Sequence, residues 1–369
     1  MKQDMVSNRW RELFSDVSGP ILITSEQNIF YVTGFATEAR RPTQIGLTCA
    51  ILTDEALLLL CPENWVDIVK TQVETTTVCV VGYKGAAPEL AAAIEKYLGS
   101  ARILGFEKDG MELSLYLALM ERYKEAKWQD VSPALKRARL VKKPEEIMAL
   151  RQAAKLASAA MEHAKTLLKP GKEEYQVVAE LEYFMRKNGS QGVPFTMKVL
   201  AGDNAIKTIN LPGKNQIVEG DIVLLDFGAI VQNYASDWTR SFAIGKASAQ
   251  QQELYDLVWK IERSCIEMIR PGVKLASLMD KAMEIAQESR FAQYFNPYLG
   301  HSIGISSQEW PFIVPGVEGT LEENMVITIE PGVYVPGVGG VRIEDEILVT
   351  NTGHEILTGL QKEEFVLEI

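Results

Sequence analysis

Acidic side chains at the ends of apolar runs are the residues of this chain best suited to chemistry. Asp226 directly follows the apolar run Ile222–Leu225, and Asp237 lies in a second predicted strand, Tyr234–Ile244. A hairpin of these two strands would bring the two carboxylates side by side. Buried carboxylates are costly unless a positive charge lies between them, although a turn aspartate and an aspartate paired with Arg240 would explain the same pattern.

A partial repeat 104 positions later favours a cation site over the structural explanation of these two aspartates. EGDIVLLDFG at 219–228 matches ENMVITIEPG at 323–332, so Asp226 aligns with Glu330. The next predicted strand, Gly340–Val349, carries Arg342 and Glu344, and LLKPGKEEY and MIRPGVKLA precede the two copies. A unit built twice predicts packing about a pseudo-twofold axis. Four carboxylates that converge there need cations, and this number of oxygen ligands suits two divalent ions.

Length and composition exclude several classes of protein. The chain has 369 residues, enough for two domains, and a net charge of −11 without a basic stripe argues against a nucleic-acid partner. No apolar run is long enough to span a bilayer, and MKQDMVSNRW lacks the apolar core of a signal peptide. We therefore expect a cytoplasmic protein without a membrane partner. Its four cysteines lack CxxC spacing and are predicted to be reduced and buried.

The order of predicted elements indicates a two-domain α/β (α+β) fold. Residues 1–135 are predicted as an α/β domain, in which Ser25–Phe35 is an extended stretch closed by a turn glycine. A domain boundary is predicted near Ser132–Leu140, where PALKRARLVKKP is interpreted as a basic linker flanked by prolines. Residues 136–369 then form the second domain, which opens with a long helix from Pro144 to about Leu168.

The chain has three histidines, and one of them is a candidate metal ligand. His301 lies in YLGHSIGISSQEWP, between the two acidic hairpins, among glycines that let the backbone approach a site closely. His163, near the end of the long helix, is interpreted as structural, and His354 as part of a surface turn.

These motifs together resemble a known family. The ordered set Asp226, Asp237, His301, Glu330 and Glu344, with flanks LDFG, YASDWTRSF, TIEPGVYVPG and GGVRIEDEILVT, resembles the dinuclear site of the creatinase/aminopeptidase P/prolidase/methionine aminopeptidase superfamily, peptidase family M24. NIFYVTGF and KPEEIMALRQAA resemble the N-terminal domain and junction of the Xaa-Pro peptidase branch. The resemblance covers nearly the whole chain. It implies an N-terminal creatinase/prolidase-type α/β domain and a C-terminal pita-bread domain with an internal pseudo-twofold repeat.

The resemblance also implies a metal set. Two divalent ions, Mn²⁺ in preference to Co²⁺ or Zn²⁺, would share a bridging water or hydroxide. Asp226 would chelate one ion, Asp237 and Glu344 would bridge, and His301 and Glu330 would complete the second.

Two further roles and an assembly follow from the resemblance. Glu330 would shuttle a proton from the shared water, beside the catalytic ligand His301, and Arg342 would fix neighbouring carboxylates from outside the ligand set. The family also implies a homodimer.

The chain departs from the family at two histidines that contact the substrate carbonyl. A loop of the form SGPNxxxPH is AGDNAIKTI here, so one histidine falls on Ile209, or on Asn210 with a shift of one residue. The other, in HExP, is replaced by Gln308. Glutamine donates a hydrogen bond but cannot carry a proton, and loss of such donors costs on the order of 10²-fold in rate.

Three functions follow, and the resemblance favours the first. It is metal-dependent cleavage of a small peptide at an N-terminal Xaa-Pro bond, by an Xaa-Pro dipeptidase or aminopeptidase. The alternatives are a metal enzyme of the same fold acting on a non-peptide small molecule, and a catalytically impaired binding protein. Gln308, Trp310, Lys207 and Asp203 are predicted to line the approach to the metals.

Overall fold

The chain folds as two compact units, the first ending at Arg139 and the second beginning at Leu140. The computed structural model describes residues 10, 12–36, 47–85, 87–359 and 365–368. Within these ranges, no helix combines the length and the apolar character needed to cross a membrane.

The N-terminal unit is built on one mixed sheet. Its elements in chain order are β1 (Ile21–Ile23), α1 (Glu26–Thr33), β2 (Cys49–Leu52), β3 (Leu57–Pro62), α2 (Val66–Gln72), β4 (Val78–Tyr83), α3 (Ala87–Leu98), β5 (Ile103–Phe106), α4 (Leu113–Arg122), β6 (Lys127–Asp130) and α5 (Ser132–Leu140). The sheet order is β4-β3-β2-β1-β5-β6. Leu57 and Leu59 pack into one core and Leu58 and Leu60 into another. Both faces of the sheet are therefore covered, which explains the continuous apolar run of β3.

The prediction of an extended stretch over Ser25–Phe35 is wrong, because this segment forms helix α1. The Ser25 hydroxyl accepts a hydrogen bond from the Asn28 N–H at the first turn. Gly34 ends the helix with a φ of 78°, a left-handed conformation that glycine adopts without steric cost. These two caps outweigh the strand preference of the β-branched and aromatic residues between them.

The segment interpreted as a linker is helical over Ser132–Leu140, and the boundary between the two units falls at the end of this helix, between Arg139 and Leu140. The segment forms helix α5, and Leu135 is buried in the core on one face of the N-terminal sheet. The basic residues that suggested a linker lie along a helix that has its own apolar anchor.

The C-terminal unit contains two helix pairs, each packed on its own strands. The first half comprises α6 (Pro144–Leu167), α7 (Glu174–Lys187), β7 (Lys198–Ala201), β8 (Ile222–Phe227), β9 (Ile230–Val231), β10 (Tyr234–Ala235) and β11 (Trp238–Ile244). The second half comprises α8 (Ala249–Glu267), α9 (Leu275–Gln287), β12 (Phe295–Asn296), β13 (Gly300–Ser302), β14 (Glu309–Ile313), β15 (Val326–Ile329), β16 (Gly332–Val335), β17 (Gly339–Arg342), β18 (Asp345–Val349), β19 (His354–Ile356) and β20 (Val366–Leu367).

Separate hydrophobic cores reflect the repeated unit of the sequence. Residues of α6 and α7 pack with β7, β8 and β11 in one core, and residues of α8 and α9 pack with β15 and β18 in another. The long predicted helix is confirmed as α6, which spans Pro144–Leu167.

The second strand of each predicted hairpin is interrupted, contrary to the continuous strands expected over Tyr234–Ile244 and Gly340–Val349. The first breaks between β10 and β11 and the second between β17 and β18. At the breaks, the Asp237 N–H donates to the Glu346 carboxylate at 2.8 Å, and the Glu344 N–H donates to the Thr239 carbonyl at 3.1 Å. These bonds take both residues out of the regular strand ladder.

Candidate metal centre

The strand interruptions give Asp237 and Glu344 equivalent places in the two halves of the repeat. Asp237 is the residue immediately before β11, and Glu344 is the residue immediately before β18. β11 pairs with β8, and β18 pairs with β15. Each half of the C-terminal unit therefore presents one buried carboxylate at the start of a core strand.

Asp237, His301 and Glu344 come together as a possible set of metal ligands. All three are buried, and each offers one ligand atom within 4.8 Å of the others. His301 Nε2 lies 3.7 Å from Asp237 Oδ2 and 3.0 Å from Glu330 Oε1. The structure thus brings together four of the five residues predicted from the sequence.

The orientation of the His301 ring decides which nitrogen faces this cluster. Nδ1 lies 3.0 Å from the Ser302 carbonyl oxygen, which can only accept, so Nδ1 carries the proton. Nε2 is then the ring nitrogen that faces the cluster, and both it and Glu344 Oε1 are buried without a partner in hydrogen-bonding geometry. An imidazole nitrogen and carboxylate oxygens at this spacing are the electron-pair donors that a divalent cation binds. The residues present therefore fit a divalent metal ion.

The protonation of the carboxylates gives the same indication. Burial, followed by the charges of neighbouring carboxylates, raises the pKa of Asp237 and of Glu344 well above their usual range. Burial also raises the pKa of Glu346 to about 8. The pKa of Glu330 moves the other way: burial raises it, but the His301 ring and the Arg342 guanidinium outweigh burial and lower it. Without a metal, Asp237 and Glu344 thus favour the protonated form.

Asp226, the fifth predicted ligand, has different partners. Arg342 Nη2 donates a hydrogen bond to Asp226 Oδ2, and Lys198 Nζ lies 3.2 Å from the same oxygen. Sequence reasoning missed Lys198. Its signal was a single charge within the apolar run Met197–Ala201.

Arg342 contacts several groups of the site at once. Its Nε donates to Thr239 Oγ1 at 3.0 Å and its Nη1 donates to the Tyr334 hydroxyl at 3.1 Å. Its Nε also lies 4.0 Å from Glu330 Oε2. The guanidinium therefore links β11 and β16 to the acidic cluster, which consists of Asp226, Asp237, Glu330 and Glu344.

The acidic cluster opens into a cavity of about 490 Å³. Four carboxylates and two cations line it, together with neutral side chains: Asp226, Asp237, Glu330, Glu344, Lys198, Arg342, Phe195, Thr196, Thr208, Asn296, Tyr298, Ser306, Ser307 and Gln308. A space of this size and polarity suits a small polar ligand.

The residues predicted to contact substrate divide into two groups. Gln308 lines the cavity, whereas Lys207, Trp310 and Asp203 are not among its lining residues. The Trp310 side chain is 43% exposed, and Ile209, where the sequence led us to expect a histidine, is 91% exposed.

The other two histidines contact residues outside the metal site. His163 stacks on Phe184 with ring centroids 4.6 Å apart. His354 lies in β19, and not in a surface turn as predicted, with its Nδ1 3.2 Å from the Ile269 carbonyl oxygen. Among the described residues, His301 is therefore the imidazole of the acidic cluster.

Two segments of the chain match known protein families. Residues 148–351 match metallopeptidase family M24, and residues 19–141 match the creatinase/prolidase N-terminal domain. An uncharacterized peptidase of Staphylococcus saprophyticus is 35% identical over 95% of this chain and 98% of its own length.

Solved structures resemble the whole chain. A prolidase from Pyrococcus horikoshii has a TM-score of 0.88 and 28% identity, covering 99% of this chain and 100% of its own. An Xaa-Pro dipeptidase from Bacillus anthracis has a TM-score of 0.89 and 31% identity, covering 98% of this chain and 99% of its own. The predicted two-domain α/β fold is thereby confirmed.

Proposed function

Because the chain belongs to metallopeptidase family M24, we propose that it is a metal-dependent peptidase that cleaves N-terminal Xaa-Pro bonds of small peptides. The observation that carries the proposal is the buried Nε2 of His301, which has no partner in hydrogen-bonding geometry and lies beside Asp237 and Glu344. The prolidase and Xaa-Pro dipeptidase among the solved relatives support the choice of substrate class.

Asp237, His301 and Glu344 would hold the metal, with Glu330 adjacent to His301. A shell of carboxylates with one imidazole favours Mn²⁺, although Co²⁺ and Zn²⁺ accept the same ligands. A divalent ion bound here supplies Lewis acidity toward water and toward a substrate carbonyl. The expectation of two ions depends on Asp226 as a further ligand.

Glu330 is the proton carrier in this proposal. Its pKa is lowered by its neighbours, burial notwithstanding, so the carboxylate is ionised at neutral pH. Glu330 Oε1, which lies 3.0 Å from His301 Nε2, can accept a proton from a water molecule and return it to the leaving nitrogen.

Gln308 is the hydrogen-bond donor at the cavity wall. Its amide can donate to a carbonyl oxygen, but it cannot carry the proton that an imidazole would. We therefore propose slower turnover than a site with histidine at this position would give, by on the order of 10²-fold.

A second candidate is cleavage of a non-peptide small molecule by the same site. Among the described residues, the lining of the cavity includes no imidazole, and it contains the two cations Lys198 and Arg342. These features favour a small anionic or zwitterionic ligand.

The test is hydrolysis after Mn²⁺ loading of an Xaa-Pro dipeptide, a longer Xaa-Pro peptide and matched peptides with alanine in place of proline. We expect cleavage only before proline, and loss of both metal and activity in His301→Ala. His354→Gln, which alters a histidine outside the cluster, should behave as wild type. A metal-loaded protein that cleaves neither Xaa-Pro substrate would refute the proposal and direct attention to the small-molecule candidate.

A further inference from the structure

We infer that this site takes one divalent ion per chain, because the Lys198 ammonium occupies the position beside Asp226 that a second ion would need. The inference rests on the proposed metal-dependent function and specifies how many ions that function uses. Its first observation is the distance of 3.2 Å between Lys198 Nζ and Asp226 Oδ2.

The sheet itself places Lys198 at this position. β7 and β8 are antiparallel neighbours, and Lys198 is directly opposite Asp226 in the register. Side chains alternate along a strand, and the flanking Met197 and Val199 are buried in the core on the other face. Lys198 must therefore point toward the cavity, where its side chain is only 25% exposed.

Asp226 already has two cationic partners. Arg342 Nη2 donates to the same Oδ2 that Lys198 approaches, and the Arg342 side chain is itself buried. A divalent ion that bound Asp226 would have to lie next to an ammonium and a guanidinium. Like charges at such separations in a buried site repel strongly, so these cations oppose an ion at Asp226.

The charge balance of the cavity agrees with a single ion. Among the described residues that line it, four carboxylates contribute four negative charges, and Lys198 and Arg342 contribute two positive ones. His301 adds no charge when its Nε2 is a bare ligand. The remaining charge of −2 is neutralised by one divalent ion. Two ions with one hydroxide as counter-ion would leave +1 in wild type but zero in Lys198→Met, where the lysine charge is absent.

The ligands for that one ion are already together. Asp237, His301 and Glu344 lie within 4.8 Å of one another at their ligand atoms, and Asp226 is not part of this group. Three strong ligands from protein leave further positions for water or substrate, as catalytic metal sites require.

The experiment measures metal per chain in four proteins: wild type, Lys198→Met, Lys198→Arg and Lys155→Met. Metal-free protein is loaded with Mn²⁺, freed of excess ion and analysed by elemental mass spectrometry and by Mn²⁺ EPR. Lys198→Met keeps the length of the side chain without its charge, and Lys198→Arg keeps the charge. Lys155 is an exposed lysine of α6 and serves as the matched control.

We expect one ion per chain, with the EPR spectrum of an uncoupled ion, in wild type, Lys198→Arg and Lys155→Met. Lys198→Met should bind a second ion and show magnetic coupling between the two. Two ions in wild type would overturn the inference, as would a Lys198→Met protein that still binds one. The number of ions bound by wild type tests the inference even if Lys198→Met does not fold. In that case Lys198→Gln replaces Lys198→Met as the variant without the charge.

Failure of the inference differs from failure of the proposed function. Wild type with two ions and Xaa-Pro cleavage would refute only the single-ion site. Wild type with one ion and no Xaa-Pro cleavage would refute only the peptidase assignment. Wild type without any bound ion would refute both.

Discussion

Thr239 and Glu344 are joined by two hydrogen bonds that link the two halves of the repeated unit. The Glu344 N–H donates to the Thr239 carbonyl at 3.1 Å, and Thr239 Oγ1 donates to Glu344 Oε2 at 2.8 Å. The same hydroxyl accepts from Arg342 Nε at 3.0 Å. One buried hydroxyl therefore orients both a candidate metal ligand and the cation beside it.

Thr239→Val removes this hydroxyl while keeping the shape of the side chain. We expect Mn²⁺ affinity to fall by about 10–100-fold, because groups that orient a ligand typically contribute that much. Isothermal titration of the metal-free protein measures the change, and Thr239→Ser, which keeps the hydroxyl, should remain close to wild type. Unchanged affinity in Thr239→Val would show that Glu344 does not depend on this bond.

Metal removal should make stability fall as pH rises. Burial and neighbouring carboxylates raise the folded-state pKa of Asp237 and Glu344, and burial raises that of Glu346 to about 8. A raised pKa contributes stability that is fully present below the unfolded value, 4.5 for glutamate, and is lost as pH rises through the folded value. Urea unfolding of the metal-free protein should therefore give a lower midpoint at about pH 8 than at about pH 5.

Metal should reverse this trend, because a divalent ion replaces the protons on its ligands and binds more tightly as pH rises. The increase in midpoint caused by Mn²⁺ is expected to grow between the same two pH values. His301→Ala should show little increase at either. An increase that shrinks with pH in wild type would contradict the ligand assignment.

The cysteines should differ in reactivity. Cys79 is exposed, contrary to the sequence-based prediction that all four thiols are buried, whereas Cys49, Cys61 and Cys265 are buried. Burial raises the pKa of Cys61 to about 11 and that of Cys265 to about 12, and it also raises the pKa of Cys49.

Because the thiolate is the reactive form, we expect one thiol to be alkylated rapidly in the native protein at about pH 8.5, and all four after unfolding. Cys79→Ser should abolish the rapid phase. Mass spectrometry after timed exposure to iodoacetamide counts the modified thiols, and rapid native labelling of Cys61 would be inconsistent with its burial.

Gly228 is a position where a side chain does not fit. A Cβ there would lie 1.7 Å from the Ser236 carbonyl oxygen, beside the turn that leads to Asp237. We expect Gly228→Ala to lower the free energy of unfolding by about 1–3 kcal/mol, as overpacking does, and to weaken metal binding. Gly213→Ala is the matched control, since no atom lies within 4 Å of its Cβ. Equal unfolding midpoints in the two variants would contradict this account.

The amino-acid sequence by itself determined the two-domain α/β fold, the family and the residues of the acidic cluster. These features depend on local patterns: apolar runs that end in an acid, a repeat with an offset of 104, and His301 among glycines. Each pattern is visible in the sequence itself, either among neighbouring residues or as a repeat, so it can be recognised before any spatial contact is known.

Only the tertiary structure decided which charges meet. Lys198 and Asp226 are 28 positions apart in the chain, and their contact depends on the register between β7 and β8. A shift of one residue would turn Lys198 to the opposite face of the sheet. The breaks before Asp237 and Glu344 likewise depend on hydrogen bonds between distant segments, to Glu346 and Thr239. Periodicity predicts strands, but long-range pairing decides which side chains share a site.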